Sequence, residues 1–195
     1  YWPDHLLGEI LSKRWTETAI PVILLLIVGF ALSRSIDHFL SPSSLADTAR
    51  QAGEIGFIGL GMALVVIVGG IDLSVGSILA AAAMAAVIAS LIPGWGLLGI
   101  PAALITGLFF GFLNGALVAF VGLPPFIVTL GSLTAVRGLA RLMGGDTTVF
   151  NPDLPFAFIG NASILGVPWL AVIALIVILA SWFVLRRTVL GMRIY

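Results

Sequence analysis

The chain is 195 residues long, 60% hydrophobic and 9% charged, with a mean hydropathy of +1.19, whereas soluble domains carry roughly 25% charged and 45–50% apolar residues. That composition excludes a soluble globular domain and places the chain in a bilayer. Nine Lys and Arg balance nine Asp and Glu, so no basic or acidic field points to nucleic acid, and the lack of cysteine excludes disulfides, thiol catalysis and Cys-ligated zinc.

A hydrocarbon core of about 30 Å needs about 20 apolar residues in a helix, because irregular backbone in lipid leaves peptide groups unsatisfied. Leu6, Leu7, Ile10, Leu11 and Trp15 recur at helical spacing, and residues 1–17 are expected to lie on the membrane surface as an N-terminal interfacial segment. The first apolar segment covers residues 18–32 and is extended by Ile36, Phe39 and Leu40. The second covers 55–69, with a start nearer Ala49, and the third covers 74–92, closed by Pro93-Gly94. The fourth covers 97–121, closed by Gly122 and Pro124-Pro125. The fifth, 126–143, is less apolar and carries Thr129, Ser132, Thr134 and Arg137. A polar loop, 144–161, contains Pro152 and Pro155, and the last segment covers 168–185. The expected fold is all-α: a polytopic transmembrane helical bundle with about six membrane segments over residues 18–185, and 186–195 opening a cytoplasmic segment. Because the chain opens on Tyr1 and no cleavage pattern precedes its first apolar segment, it is expected to be a piece of a longer polypeptide, truncated after Tyr195.

Orientation follows from the cations. Lys13 and Arg14 precede the first segment, and Arg186, Arg187 and Arg193 follow the sixth. An even number of crossings puts both clusters on one face, which the positive-inside rule makes cytoplasmic. The outer loops then hold Asp37, Asp47, Glu54, Asp146 and Asp153, with Arg34 and Arg50 opposing this reading mildly. By parity the turn at Gly69–Ser74 lies inside and loop 144–161 outside.

Between Glu54 and Arg137 the sequence carries a single charge, Asp72, within Ile-Val-Gly-Gly-Ile-Asp-Leu-Ser-Val-Gly-Ser (67–77). Gly69 and Gly70 suit the left-handed geometry that stops a helix, and Asp72 can accept the N–H of Ser74 or Val75 as an N-cap of the third segment. A carboxylate below the headgroups costs about 2.5–3.5 kcal/mol on the insertion scale, so it should face a wet cavity or a partner. Capping and pathway lining, with Gly69, Gly70, Asp72 and Ser74 as gate candidates, are compatible. Gly107, Gly111 and Gly115 repeat every fourth residue and predict a helix-packing face, as do the alanines from Ala80 to Ala86. Asn114 beside that face can bond across helices or touch a transported solute. Thr129 and Arg137 complete the pathway candidates, Arg137 being either deep or snorkelling outward.

Other chemistry is missing. The histidines, His5 and His38, sit near the interface, which removes both a His-rich metal site and an embedded Ser-His-Asp triad. Lys13 is the only lysine and lies in no Gly-x-x-x-x-Gly-Lys-[Ser/Thr] context, so no P-loop ATPase lies in this sequence. No catalytic residue, metal ligand or cofactor site is expected in this sequence.

The run GMALVVIVGGIDLSVGSILA (61–80) resembles the signature of the membrane subunits of bacterial ABC sugar importers of the ribose/galactose type. In order, GFLNGALVAFVGLPPFIVTLGSLTAVRGLARL (111–142) resembles that family's asparagine-bearing helix, Pro-Phe-Ile-x-Thr-Leu turn and Arg-Gly helix, and RRTVLGMRIY (186–195) resembles the start of its cytoplasmic segment. Pro-Pro at 124–125 and the short, alanine-rich third helix are minor variations. The resemblance implies a permease subunit, homo- or heterodimeric, in a bacterial inner membrane. It further implies a periplasmic sugar-binding protein that delivers the solute and a separate ATPase subunit holding ATP and Mg. Two rivals use the same residues differently. An ion-coupled secondary transporter or channel would place Asp72 and Ser74 at a coupling site and work without ATP. A structural membrane subunit would need only the glycine and alanine faces. Neither predicts the ordered matches from Gly61 to Tyr195.

Overall fold

A computed structural model describes residues 16–194. Helix α1 covers Thr16–Ser35 and α2 Pro42–Ile67; α3 is Val75–Ser90, and a 3-10 turn, Gly96–Leu98, leads into α4, Gly99–Ala119. Helix α5 is Pro125–Met143, the short α6 is Phe158–Asn161, and strands β1 (Ser163–Ile164) and β2 (Val167–Pro168) pair antiparallel with Ser163 opposite Pro168. Helix α7 covers Trp169–Arg187 and α8 Val189–Ile194. The fold is all-α and polytopic. The expected interfacial segment lies outside the described residues except for Thr16 and Glu17, which open α1.

Among the described residues five helices are long and apolar enough to cross a membrane: Thr18–Ser35, Pro42–Ile67, Gly96–Ala119, Pro125–Met143 and Trp169–Arg187. The remaining expected segment, the third, forms α3 and has 16 residues. At 1.5 Å per residue it is about 24 Å long, a turn shorter than a hydrocarbon core of about 30 Å. Its length is cut at one end by the irregular stretch before Ser74 and at the other by Leu91–Gly94. The second helix starts well before the expected residues because Ser41 and Pro42 begin it: Ser41 Oγ accepts the Ser44 N–H at 3.2 Å, and proline at the first helical position forfeits no bond.

The chain divides between Thr48 and Ala49 into two compact units. The first contains α1, whose side chains from Ile20 to Phe30 are apolar and mostly exposed, as suits a lipid-facing helix. The second is organised around α3, which packs on α4 and α5. Ala81, Val136 and Ala140 are buried together, with Ile78 and Phe110 packed against them. Small side chains here let helix backbones approach, and dispersion contacts replace a hydrophobic drive that lipid does not supply. A second close approach joins α2 to α7: a Cβ on buried Gly53 would lie 3.0 Å from Ala171 Cα, and one on Gly56 3.9 Å from Ala174 Cβ.

The glycines expected to pack do not do so among the described residues. A Cβ on Gly107, Gly111 or Gly115 would meet nothing within 4 Å. A four-residue glycine repeat permits approach without supplying a partner, and the partner of α2 was chosen by Gly53, which stands outside any such repeat.

Candidate functional site

The chain leaves α2 through a Schellman turn. Gly69 takes φ +80°, its N–H reaches Val66 O at 2.9 Å, and the Gly70 N–H reaches Val65 O at 2.9 Å. Left-handed backbone at this position favours glycine, and the two bonds satisfy carbonyls that the helix end would orphan. Gly70 is buried and tightly enclosed: a Cβ there would sit 3.1 Å from Val65 Cγ1, which would have to shift to admit it, and 3.7 Å from Pro125 Cβ. From Gly70 to Ser74 the backbone is irregular before α3 begins.

Asp72 stabilises this stretch as expected, with one difference of position. Its Oδ1 accepts the Ser74 N–H at 2.7 Å, but the N-cap residue of α3 is Ser74. The Ser74 hydroxyl is turned away from capping: it donates to Asp72 Oδ1 at 2.6 Å and accepts from Asn114 Nδ2 at 2.9 Å. Asn114 Oδ1 in turn accepts from the Ser132 hydroxyl. One connected chain therefore runs from α5 through α4 to the start of α3 and ends on the carboxylate. Thr129 adds a second tie from α5, its hydroxyl lying 3.1 Å from Ile71 O and 2.9 Å from Pro125 O.

These groups are deeply enclosed. Ser74 is 0% exposed, Thr129 5% and Asn114 6%, while Asp72 is half-buried. Ser132 lies seven residues past Pro125, about 10 Å along α5, and is partly buried; a buried polar group without a partner costs about 1–3 kcal/mol. Mutual hydrogen bonding removes that cost.

Beside the chain lies a cavity of about 320 Å³ lined by Asp72, Asn114 and Thr129, by Val65 of α2 and Val68 just after it, and by Gly111 and Gly115 of α4. The open glycine face thus borders the polar junction. Pro124-Pro125 starts α5 here with fixed backbone geometry and brings Thr129 one turn later against the junction.

Six of the pathway candidates, Gly69, Gly70, Asp72, Ser74, Asn114 and Thr129, are brought together, and Arg137 is not. Arg137 is exposed and lines a separate cavity of about 410 Å³ at the far end of α5, with Arg141, Asp146, Thr147 and Thr148. There Arg141 Nε donates to Asp146 Oδ1 at 2.7 Å between side chains that are 71% and 62% exposed. Loop 144–161 is pinned at the same end by Asn151 Nδ2, which donates to Ser90 Oγ at 2.9 Å. Among the described residues no group of three His, Asp or Glu is placed to hold a metal ion.

Sequence reasoning missed Ser132 as a site residue. The signal was its spacing: Pro125, Thr129, Ser132, Val136 and Ala140 follow i, i+4, i+7, i+11 and i+15, one helix face, of which Thr129, Val136 and Ala140 are buried.

Comparison with known proteins adds a family. Residues 44–195 match the model described as branched-chain amino acid transport system, permease component. The chain is similar to the galactofuranose transporter permease protein of Escherichia coli K12, 35% identical over 190 residues, covering 92% of this chain and 55% of that protein. It is similar to the D-allose transport system permease protein of the same strain, 35% identical over 188 residues, covering 93% and 56%. A ribose import permease protein of Haemophilus influenzae is 36% identical over 180 residues, covering 89% and 55%. The chain therefore spans little more than half the length of these relatives. No solved structure gives a significant match.

Proposed function

The chain belongs to the family of branched-chain amino acid transport system permease components, and from that premise we propose that it forms part of the translocation pathway of an ATP-driven sugar importer in a bacterial inner membrane. The observation that carries the site is the junction at Gly69–Ser74: a helix end, a half-buried carboxylate and a cavity brought together by hydrogen bonds from α4 and α5. Irregular backbone at membrane depth is tolerated where protein buries it or a cavity adjoins it, and such broken segments form solute pathways in transporters. The sugar specificity is suggested by relatives named for galactofuranose, allose and ribose.

In this reading α1, α2, α3, α4, α5 and α7 cross the membrane, with Lys13 and Arg187 inside. The antiparallel run of α3, α4 and α5 supports it: the end of α3 near Ser74 neighbours Asn114 and Thr129, and the end near Ser90 neighbours Asn151. The junction is then the inner part of the pathway and the Arg137 cavity lies at its outer end. A second permease subunit, identical or different, completes the transporter. A periplasmic binding protein delivers the sugar, and a separate ATPase subunit supplies ATP and Mg.

Reconstitution of the full-length permease with that ATPase and binding protein should give ATP-dependent sugar uptake. Uptake that persists unchanged with an inactive ATPase would favour ion-coupled transport instead. Since the sequence has no native cysteine, Arg187→Cys should be protected from external thiol reagents, and its labelling from outside would overturn the orientation.

A further inference from the structure

We infer that Ser132 is a positioning residue: its hydroxyl sets the direction of the hydrogen-bond chain and thereby holds the Asp72 carboxylate at the cavity wall. The inference rests on reading the junction as part of the pathway, but its geometry stands by itself. An ionised carboxylate only accepts hydrogen bonds. The single hydroxyl hydrogen of Ser74 is therefore committed to Asp72 Oδ1, at 2.6 Å. Ser74 Oγ must then receive a hydrogen from its other neighbour, which fixes Asn114 with Nδ2 toward Ser74 and Oδ1 toward Ser132. Only a donor satisfies that amide oxygen, and the Ser132 hydroxyl is the donor present. Every bond in the chain points toward Asp72.

Removing the Ser132 hydroxyl leaves the buried amide oxygen without its donor. The amide can recover one by turning its oxygen to Ser74, but the hydrogen it would take there is the one that Asp72 uses. Competition for a single hydrogen passes the loss from α5 to the carboxylate, which then retains only the Ser74 N–H. A serine whose role was merely to fill space would pass nothing on.

The test uses the full-length permease in membrane vesicles, with a cysteine introduced at Gly115, which lines the cavity and where a Cβ meets nothing within 4 Å. Rates of modification by a cationic and an anionic methanethiosulfonate are compared, since their ratio reports the field of a nearby carboxylate. Ser132→Ala should change that ratio, and Ser132→Thr should restore it. In an Asp72→Asn background, Ser132→Ala should leave the ratio unchanged, because there is no charge to displace. An equal effect of Ser132→Ala in both backgrounds, or none in either, would overturn the inference. Uptake measured in parallel separates the two readings: a coupled ratio with normal uptake in the Asp72→Asn, Asp72→Ala and Ser132→Ala variants alike supports the positioning role and removes the junction from the pathway.

Discussion

The two ends of the α3–α5 group carry the same kinds of side chain and treat them differently. At the Ser74 end, hydroxyl, amide and carboxylate groups from three helices are joined in one enclosed chain. At the Ser90 end, the Arg141–Asp146 pair stands on side chains 71% and 62% exposed, beside an open cavity. Enclosure, not formal charge, determines what each cluster is worth. An exposed ion pair exchanges its partner for water at little cost, whereas a buried donor or acceptor has nowhere else to turn.

That comparison fails first if Asn114 is dispensable. Asn114→Leu removes the middle of the chain and leaves Ser132 without its acceptor across the helices; it should destabilise the protein by about 2–3 kcal/mol, read as a lowered unfolding midpoint in detergent or by steric trapping. Close packing offers a nonpolar counterpart. Gly53→Ala pushes a Cβ against the Ala171 backbone and should cost about 1–2 kcal/mol, while Gly111→Ala, facing open space inside α4, should cost nothing and stabilise the helix by about 0.5–1 kcal/mol. Thr129→Val keeps the shape of the side chain but unties α5 from Ile71 O, with an expected loss of about 1 kcal/mol in the same assay. Asp146→Asn breaks the exposed pair and should change stability by about 0–1 kcal/mol, diminishing further as salt is raised. A loss for Asp146→Asn equal to that for Asn114→Leu would reverse the comparison.

Asp72 sharpens it from the functional side. As a brace for the backbone before α3, Asp72→Asn keeps the acceptor for the Ser74 N–H and should fold normally, while Asp72→Ala should cost about 0.5–2 kcal/mol. If the charge itself serves transport, uptake by the Asn variant should fall at matched expression. Wild-type uptake and stability in the Ala variant would remove both roles.

Much of this molecule was legible from composition and pattern. Runs of apolar residues mark the spans because lipid tolerates only internally bonded backbone, and Gly69, Pro93 and Pro124 mark their ends because they act on the backbone locally. Asp72 could be singled out because an unaccompanied carboxylate in an apolar sequence requires a partner. Its partners were another matter. Ser74 stands two residues away, but Asn114 and Ser132 come from 40 and 58 residues on the C-terminal side of Ser74, and hydroxyl or amide side chains at such separations become a chain only when three helices set them within bonding distance. The same holds for the glycines. Spacing showed where a backbone could be approached, at Gly107, Gly111 and Gly115, yet within the described residues helix backbones approach closely at Gly53, against Ala171, and at Gly99, against the Ala86 carbonyl. Arg137, grouped in sequence with the pathway candidates, was carried by α5 to the opposite end from Asp72. Local chemistry is written residue by residue, so the sequence alone determined the medium, the helices and their stops. Which faces meet depends on long-range packing, and only the tertiary structure decided which polar groups share a site.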